Sequence, residues 1–456
     1  MQPLKPGLCV LLFVIGATSY IDIPLVARLP LSEIIAFASL PVLLSGFSMN
    51  PYRDRLNKVL VILFIWVCGT VLSDIINRSS MLDAARGLFK PLFCLLWIFF
   101  ITVILTKEMR AFIFYGVGLI LGAIQNFVAP VSPWVAHYAD ASEYGAIAFT
   151  LAPLGIAIAA GFGTVLYQKS KLVVVALFLV CGMGLFVSGA PRNFAATLLV
   201  AGFLVGYIWY TTSNTGRRAR LKPSMGKVVS IAVFLAVLGY GLFMAYIFAA
   251  DRGWLGAEQW AKLQIQSATS LGKTPLGIIM GGRTGVFAAI LAILDNPILG
   301  YGSWSGVTLG SYLYEAAYIV GADAASLARL ASGEVGGAGH SVLFQAWVEN
   351  GILAAVALSA IGWITVQQVF YILRIDHRLA PLILTIAMMF LWAFLFSPFS
   401  TITRFHIGFF LAMYMTDELQ RRVLMRNAAD FYQSMLRRPP PPSPTGLPVP
   451  TGVGMR

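Results

Sequence analysis

Charge is what this chain lacks most: 11% of its 456 residues are Asp, Glu, Lys or Arg, while 58% are hydrophobic. A soluble domain carries about 25% charged residues, so a soluble multidomain protein is excluded. Cysteine is scarce as well. Cys9, Cys68, Cys94 and Cys181 all fall inside apolar runs with no Cys-x-x-Cys spacing, which favours buried thiols over disulfides or a metal site. No Asp-x-Asp occurs, and carboxylates such as Asp251, Asp295, Glu315 and Glu349 are scattered rather than grouped as Mg²⁺ ligands are. There is no internal repeat, and ionisable residues are nearly missing from the middle of the apolar runs. Both absences speak against a transporter built of two similar halves around a midplane site.

What the chain has instead is length of hydrocarbon. Runs of about 20 apolar residues, enough to cross a core roughly 30 Å thick, recur at 7–27, 31–49, 58–76, 91–106, 111–129, 145–167, 171–189, 193–212, 228–250, 351–373, 380–397 and 401–416. The expected fold is therefore all-α, a polytopic membrane protein of about twelve transmembrane helices with one large outer loop containing short helices. Orientation follows from Lys and Arg, which are retained near cytoplasmic helix ends. With the N-terminus inside, the inner segments hold fifteen basic residues, among them Lys58, Lys107, Lys171 and Arg217, and the short outer loops hold six: Arg28, Arg78, Arg86, Lys90, Arg192 and Arg404. Most of the net charge of +13 is thus explained by orientation and anionic lipid, and nucleic acid is not an expected partner.

This divides the chain into nine spans over 1–250, an outer loop over 251–350, three spans over 351–416 and a tail over 417–456. The first run lacks a small-residue cleavage site and is expected to stay as a helix. The tail ends "RRPPPPSPTGLPVPTGVGMR", too proline-rich for a packed core and expected to be disordered in the cytoplasm. Within the outer loop, 257–271 and 284–294 are expected as short helices. The stretch 310–340 is expected as a mobile cover, and "HSVLFQAWVENGIL" (340–353) leads into the tenth span.

Three residues on the outer side could carry chemistry. Arg283 follows Gly281 and Gly282, which are expected to form a flexed turn, and opens an apolar helix; a helix N-terminus and a guanidinium fork both favour phosphate, although an arginine there can equally snorkel to headgroups or cap a neighbouring loop. Arg192 sits in the tight "SGAPRN" turn at the membrane boundary, where a charged group is a functional candidate by default. His340 stands where the long loop re-enters the membrane, and an imidazole can take a proton from a hydroxyl at neutral pH; a surface histidine is the plainer alternative. Arg86 and Lys90 share one helix face by their i,i+4 spacing and could steer an anion or anchor a headgroup, as could Arg404 beside His406. In the turn 295–302, Pro297, Gly300 and Gly302 are expected to fold the loop back beneath its cover, with Tyr301 and Trp304 offering rings to lipid or sugar.

An arginine opening an apolar helix, then "DNPILGYGS" (295–303), then a histidine leading "HSVLFQAWVENGIL" with Gly351 behind it, resembles the O-antigen ligase and polymerase superfamily. Arg192 in its "SGAPRN" turn matches the arginine these proteins carry at the end of an outward-facing span. The resemblance implies an integral-membrane glycosyltransferase in the bacterial inner membrane, working on the periplasmic face without nucleotide sugar, metal or other cofactor. It implies an undecaprenyl pyrophosphate-linked glycan as donor and, as acceptor, lipid A–core for a ligase or another lipid-linked glycan for a polymerase. Carried onto these residues, Arg192 and Arg283 hold the pyrophosphate and stabilise the leaving group, and His340 is the general base. Transfer activity is therefore expected to persist in EDTA, and abolition by chelation would sink the metal-free reading.

Overall fold

The structure, a computed structural model, describes residues 5–24, 28–45, 47–129, 150–188, 192–213, 243–304, 306–322 and 341–417, with isolated positions within 233–241 and 421–433. It is about 82% helical with almost no strand. The first part of the chain forms α1 (Pro6–Ala17), a short antiparallel ribbon of Asp22–Pro24 with Arg28–Pro30, α2 (Leu31–Leu44), α3 (Arg53–Ile76), α4 (Met81–Glu108) and α5 (Phe112–Val128). Then come α6 (Ala152–Leu166), α7 (Lys171–Val187) and α8 (Arg192–Ser213). The long loop contributes α9 (Ala257–Ser267), α10 (Pro275–Gly282), α11 (Thr284–Asp295) and α12 (Gly306–Ile319), and the chain returns through α13 (Val342–Ile372), α14 (Ala380–Phe396) and α15 (Thr401–Thr416).

Short side chains start several of these helices by satisfying amides that have no partner within the helix. Ser80 Oγ accepts from the Asp83 amide at 3.1 Å, and Ser341 Oγ from the Phe344 amide at 3.2 Å. Ser400 and Thr403 close a reciprocal capping box at the start of α15, the arrangement that satisfies two donors at once.

Among the described residues, four segments are long and apolar enough to cross a membrane: Asn50–Ile76, Met81–Val128, Asn193–Thr212 and Val342–Ile372. The second is two helices in series, because Glu108 leaves helical geometry (φ −167°, ψ 83°) and a 3₁₀ turn follows at Met109–Ala111. Other expected spans overlap shorter apolar helices, α1, α2, α6, α7 and α14, of 12 to 17 residues; the first falls short of the expected 7–27, because α1 ends at Ala17 and the chain turns into the Asp22–Pro24 strand. Of the run 228–250, the continuous described part is 243–250; the tail from 434 onward lies outside the described residues.

The helices are apolar inward and outward alike. Trp66, Phe100, Phe112, Phe178, Phe390 and Phe410 are fully buried, while Phe64, Val180 and Trp363 are exposed; hydrophobicity all round a helix is the mark of lipid outside it. Lipid offers no hydrophobic drive for helices to associate, so close packing takes over. At the α1–α5 contact a Cβ on Gly118 would fall on the Phe13 carbonyl oxygen, and one on Gly122 at 2.5 Å from the Ala17 carbonyl oxygen.

Polar side chains sort to the two ends of the bundle. At one end Lys107 Nζ donates to the Leu43 carbonyl at 2.8 Å, and Arg55 bonds the Tyr414 carbonyl and pairs with Asp417 at 3.0 Å. At this same end Lys171 meets Asp376 and Thr212. The opposite end therefore holds the ends of α3, α7 and α14 and the starts of α4, α8, α13 and α15.

That opposite end is organised by a break in α13. Gly351 has φ 71° and ψ −168°, which frees carbonyls in the preceding turn. The 298–303 segment fills the gap: the Tyr301 amide donates to Val348 O at 2.7 Å, the Gly302 amide to Glu349 O at 2.9 Å, and the Ile352 amide to Ile298 O at 3.1 Å. Ser73 Oγ on α3 donates to Glu349 O at 2.7 Å. Gly300 and Gly302, at φ 70° and 85°, are needed because the turn must adopt left-handed angles closed to most residues. This corrects the expectation that the turn folds the loop back beneath a cover: its backbone is docked into a broken helix. Gly351→Ala meets both the positive φ and the Ile298 carbonyl oxygen, and is expected to cost about 1–3 kcal/mol, read as a lowered Tm in detergent; an unchanged Tm would mean that the break relaxes freely.

Candidate functional site

The last turn of α14 carries carbonyls with no acceptor role inside the helix, and two segments of the long loop converge on them. Arg283 Nη1 donates to Phe396 O at 3.0 Å, and Ser341 Oγ donates to Phe394 O at 2.8 Å. The Arg283 guanidinium carbon lies 5.7 Å from the Trp392 ring and 5.5 Å from the Phe396 ring, within cation–π range. The arginine is half-buried and occupies the N-cap position of α11 without capping it. Gly281 and Gly282 are the last residues of α10, not a flexed turn: a Cβ on Gly281 would fall on the Gln266 carbonyl oxygen, so their smallness serves a close backbone approach.

His340 lies outside the described residues, as does all of 323–340 of the expected cover; its chain neighbour Ser341 is the residue anchored to α14. Arg192 is the first residue of α8. The far end of α8 is fixed by Thr212 beside Lys171 and Asp376, so Arg192 starts from the same end of the bundle as the α14 terminus.

Deeper in that end lie buried charges. Lys90 Nζ pairs with Glu349 Oε2 at 2.5 Å, and Gln345 Nε2 donates to Glu349 Oε1 at 2.9 Å. Gln345 in turn accepts from the Phe399 amide at 3.0 Å. Lys90 is 8% exposed and Glu349 4%. The sequence suggested a cation steering an anion or anchoring a headgroup; the structure corrects this, since Lys90 is spent on a carboxylate two residues before the α13 break. Arg404 is corrected in the same way. Its Nε and Nη2 hold both oxygens of Glu33 at 2.9 and 2.7 Å, Trp97 Nε1 adds a third bond at 3.0 Å, and the bidentate fork ties α15 to α2 out of reach of a ligand.

Arg86 remains half-exposed, paired with Asp83 at 3.3 Å. Arg86 and Lys90 each lie 5.6 Å from the Trp304 ring. Trp304 is 54% exposed and takes φ 61°, a genuine outlier for a bulky residue; strain of this kind concentrates at functional sites. Tyr301 is engaged elsewhere, its hydroxyl 2.7 Å from that of Tyr312, which donates to Asp295 Oδ2 at 2.5 Å. Burial and the Asp295 carboxylate push the Tyr312 hydroxyl well above the usual phenol range. This chain of bonds latches α12 to the end of α11.

Sequence reasoning missed the partners on α3. Asp74, 7% exposed, accepts from the Ser303 amide at 2.6 Å and from its hydroxyl at 2.9 Å. Asn77 Nδ2 donates to Gly300 O at 3.1 Å. The available signal was a carboxylate inside an apolar run, four residues after a threonine and one after a serine, which marks a polar stripe on one helix face.

No protein-family model and no curated protein matches this chain. The buried pair has a direct energetic test. Lys90→Met leaves the Glu349 charge unpaired and is expected to destabilise by about 3–5 kcal/mol, whereas Lys90→Met with Glu349→Met recovers most of that loss. If the single and double variants melt alike, the pair carries no coupling.

Proposed function

We propose that this chain is an integral-membrane glycosyltransferase of the O-antigen ligase kind, moving a glycan from undecaprenyl pyrophosphate to a hydroxyl of lipid A–core on the periplasmic face of the bacterial inner membrane. One observation carries the reading: Arg283 and the residue beside His340 are bonded to the same terminal turn of α14, through Phe396 O and Phe394 O. Two motif elements separated by more than fifty residues in sequence thereby meet at one place. Arg192 opens its helix at the same end.

In this mechanism the pyrophosphate of the donor draws Arg283 from the neutral Phe396 carbonyl, because a charge-assisted bidentate bond is the stronger one. Arg192 supplies the second cation. His340 takes the proton of the acceptor hydroxyl as its oxygen forms a bond to the anomeric carbon. The bond from that carbon to the pyrophosphate oxygen breaks, and the electron pair leaves on undecaprenyl pyrophosphate, where the arginines stabilise the charge. Trp304, strained and exposed above Arg86, offers a ring face to the glycan.

The twelve-span order, with both termini in the cytoplasm and 251–350 outside, belongs to the same proposal. It is supported by the gathering of Lys107, Arg55 and Lys171 at one end of the bundle and of the motif residues at the other.

The test uses purified protein with undecaprenyl pyrophosphate-linked glycan, with and without lipid A–core. Product requiring lipid A–core is expected, with Arg283→Ala lowering the rate about 10²–10³-fold and His340→Ala about 10²–10⁴-fold. Longer lipid-linked chains formed without that acceptor would make the protein a polymerase. Wild-type rates in both variants would discard the site.

A further inference from the structure

The end of the bundle remote from the candidate transferase site contains a cavity of about 550 Å³, within the size range of ligand pockets. It exists because α4 stops at Glu108 and the chain makes a 3₁₀ turn before α5, so the helix ends spread and expose their walls. Tyr52, Lys107, Glu108, Arg110 and Arg421 line it, with Thr416 closing it from α15.

Its charges do not cancel. Glu108 is taken by Arg110, at 2.8 and 3.3 Å, and neighbouring Asp417 by Arg55 at 3.0 Å. Among the described residues neither Lys107 nor Arg421 forms an ion pair, although the Arg421 charge acts on Asp417 beside Arg55. Lys107 Nζ makes one bond, to the Leu43 carbonyl, and an ammonium has three donors. Tyr52 also lines the cavity, and its hydroxyl makes no hydrogen bond to a described residue. A ligand-sized space lined by three cations against one carboxylate, two of those cations outside any ion pair, is chemistry suited to phosphate.

We propose that this cavity binds the phosphodiester headgroup of an anionic membrane lipid. The location argues for a lipid over a soluble phosphate. The site lies at the ends of apolar helices, where headgroups reside. The helix that follows Tyr52 exposes Leu60, Val61 and Phe64 along its side, an apolar wall for acyl chains. Bound there, the headgroup joins the ends of α3, α4 and α15 through one anion. The site is separate from the transferase residues and does not depend on their assignment.

The experiment uses the full chain purified in detergent and three probes: phosphatidylglycerol, phosphatidylcholine with the same acyl chains, and inorganic phosphate. Lipid retention is read by native mass spectrometry and Tm by thermal unfolding. Phosphatidylglycerol is expected to be retained and to raise Tm, with phosphatidylcholine retained far less. Lys107→Gln combined with Arg421→Gln is expected to lower phosphatidylglycerol retention on the order of tenfold or more. Tyr52→Phe, which removes one hydroxyl and keeps the ring, gives a smaller loss in the same direction and serves if the charge variant fails to fold. Equal retention of the two lipids, or retention unchanged in Tyr52→Phe and the charge variant, overturns the proposal. Inorganic phosphate reproducing the whole Tm rise also overturns it, by assigning the site to a soluble phosphate-bearing ligand.

Discussion

A backbone carbonyl that leaves its helix inside a membrane protein has no water to turn to, and each one left unsatisfied costs several kcal/mol. The break at Gly351 creates that problem in α13, and the surrounding structure at this end answers it. The 298–303 segment is drawn in to supply amides to Val348 and Glu349, Ser73 adds a hydroxyl, and Asp74 then holds Ser303. The positions of α11 and α12, and of the loop between them, follow from this docking. The break is therefore the anchor of the 298–303 segment on the helix bundle.

Buried charge at the same end follows the same logic of satisfaction. Glu349 stands two residues before the break, and its carboxylate is met by Lys90 and Gln345. Glu33 is met by Arg404 and Trp97. Removing an ion from water is so costly that such groups persist only when paired and hydrogen-bonded. The pairs lie between α4 and α13 and between α2 and α15, so they tie helices far apart in sequence. They also take Lys90 and Arg404 out of the set of candidate anion-binding residues at this end.

A division of labour between the two ends emerges. The Gly351 end has helix termini, strained Trp304 and the meeting of Arg283 with Ser341 on α14. The Lys107 end has basic side chains around a cavity at the break between α4 and α5. The proposed transfer chemistry belongs to the first end and the proposed lipid headgroup site to the second.

Much of this was legible in the sequence. Apolar runs marked most of α3 to α8 and α13 to α15 to within several residues, except at α4, which begins ten residues early because Ser80 caps it and Asp83 supports its first turn, and at α13, which begins nine residues early at Val342 behind the Ser341 cap. The helices 257–267 and 284–295 were legible from their apolar spacing; α10 was not, because its glycines read as a turn. The motif residues Arg192, Arg283 and His340 could be named from type and position. Their pairing could not. Hydropathy reports what each segment does with water or lipid and is a local property of residues, so composition alone determined a membrane-crossing helical chain. Whether Lys90 and Arg404 face a ligand or a carboxylate depends on Glu349 and Glu33, which lie 259 and 371 positions away. Only tertiary structure decided that, because Coulomb pairing in a low dielectric is set by distances across helices, and one sequence pattern is compatible with many such neighbours.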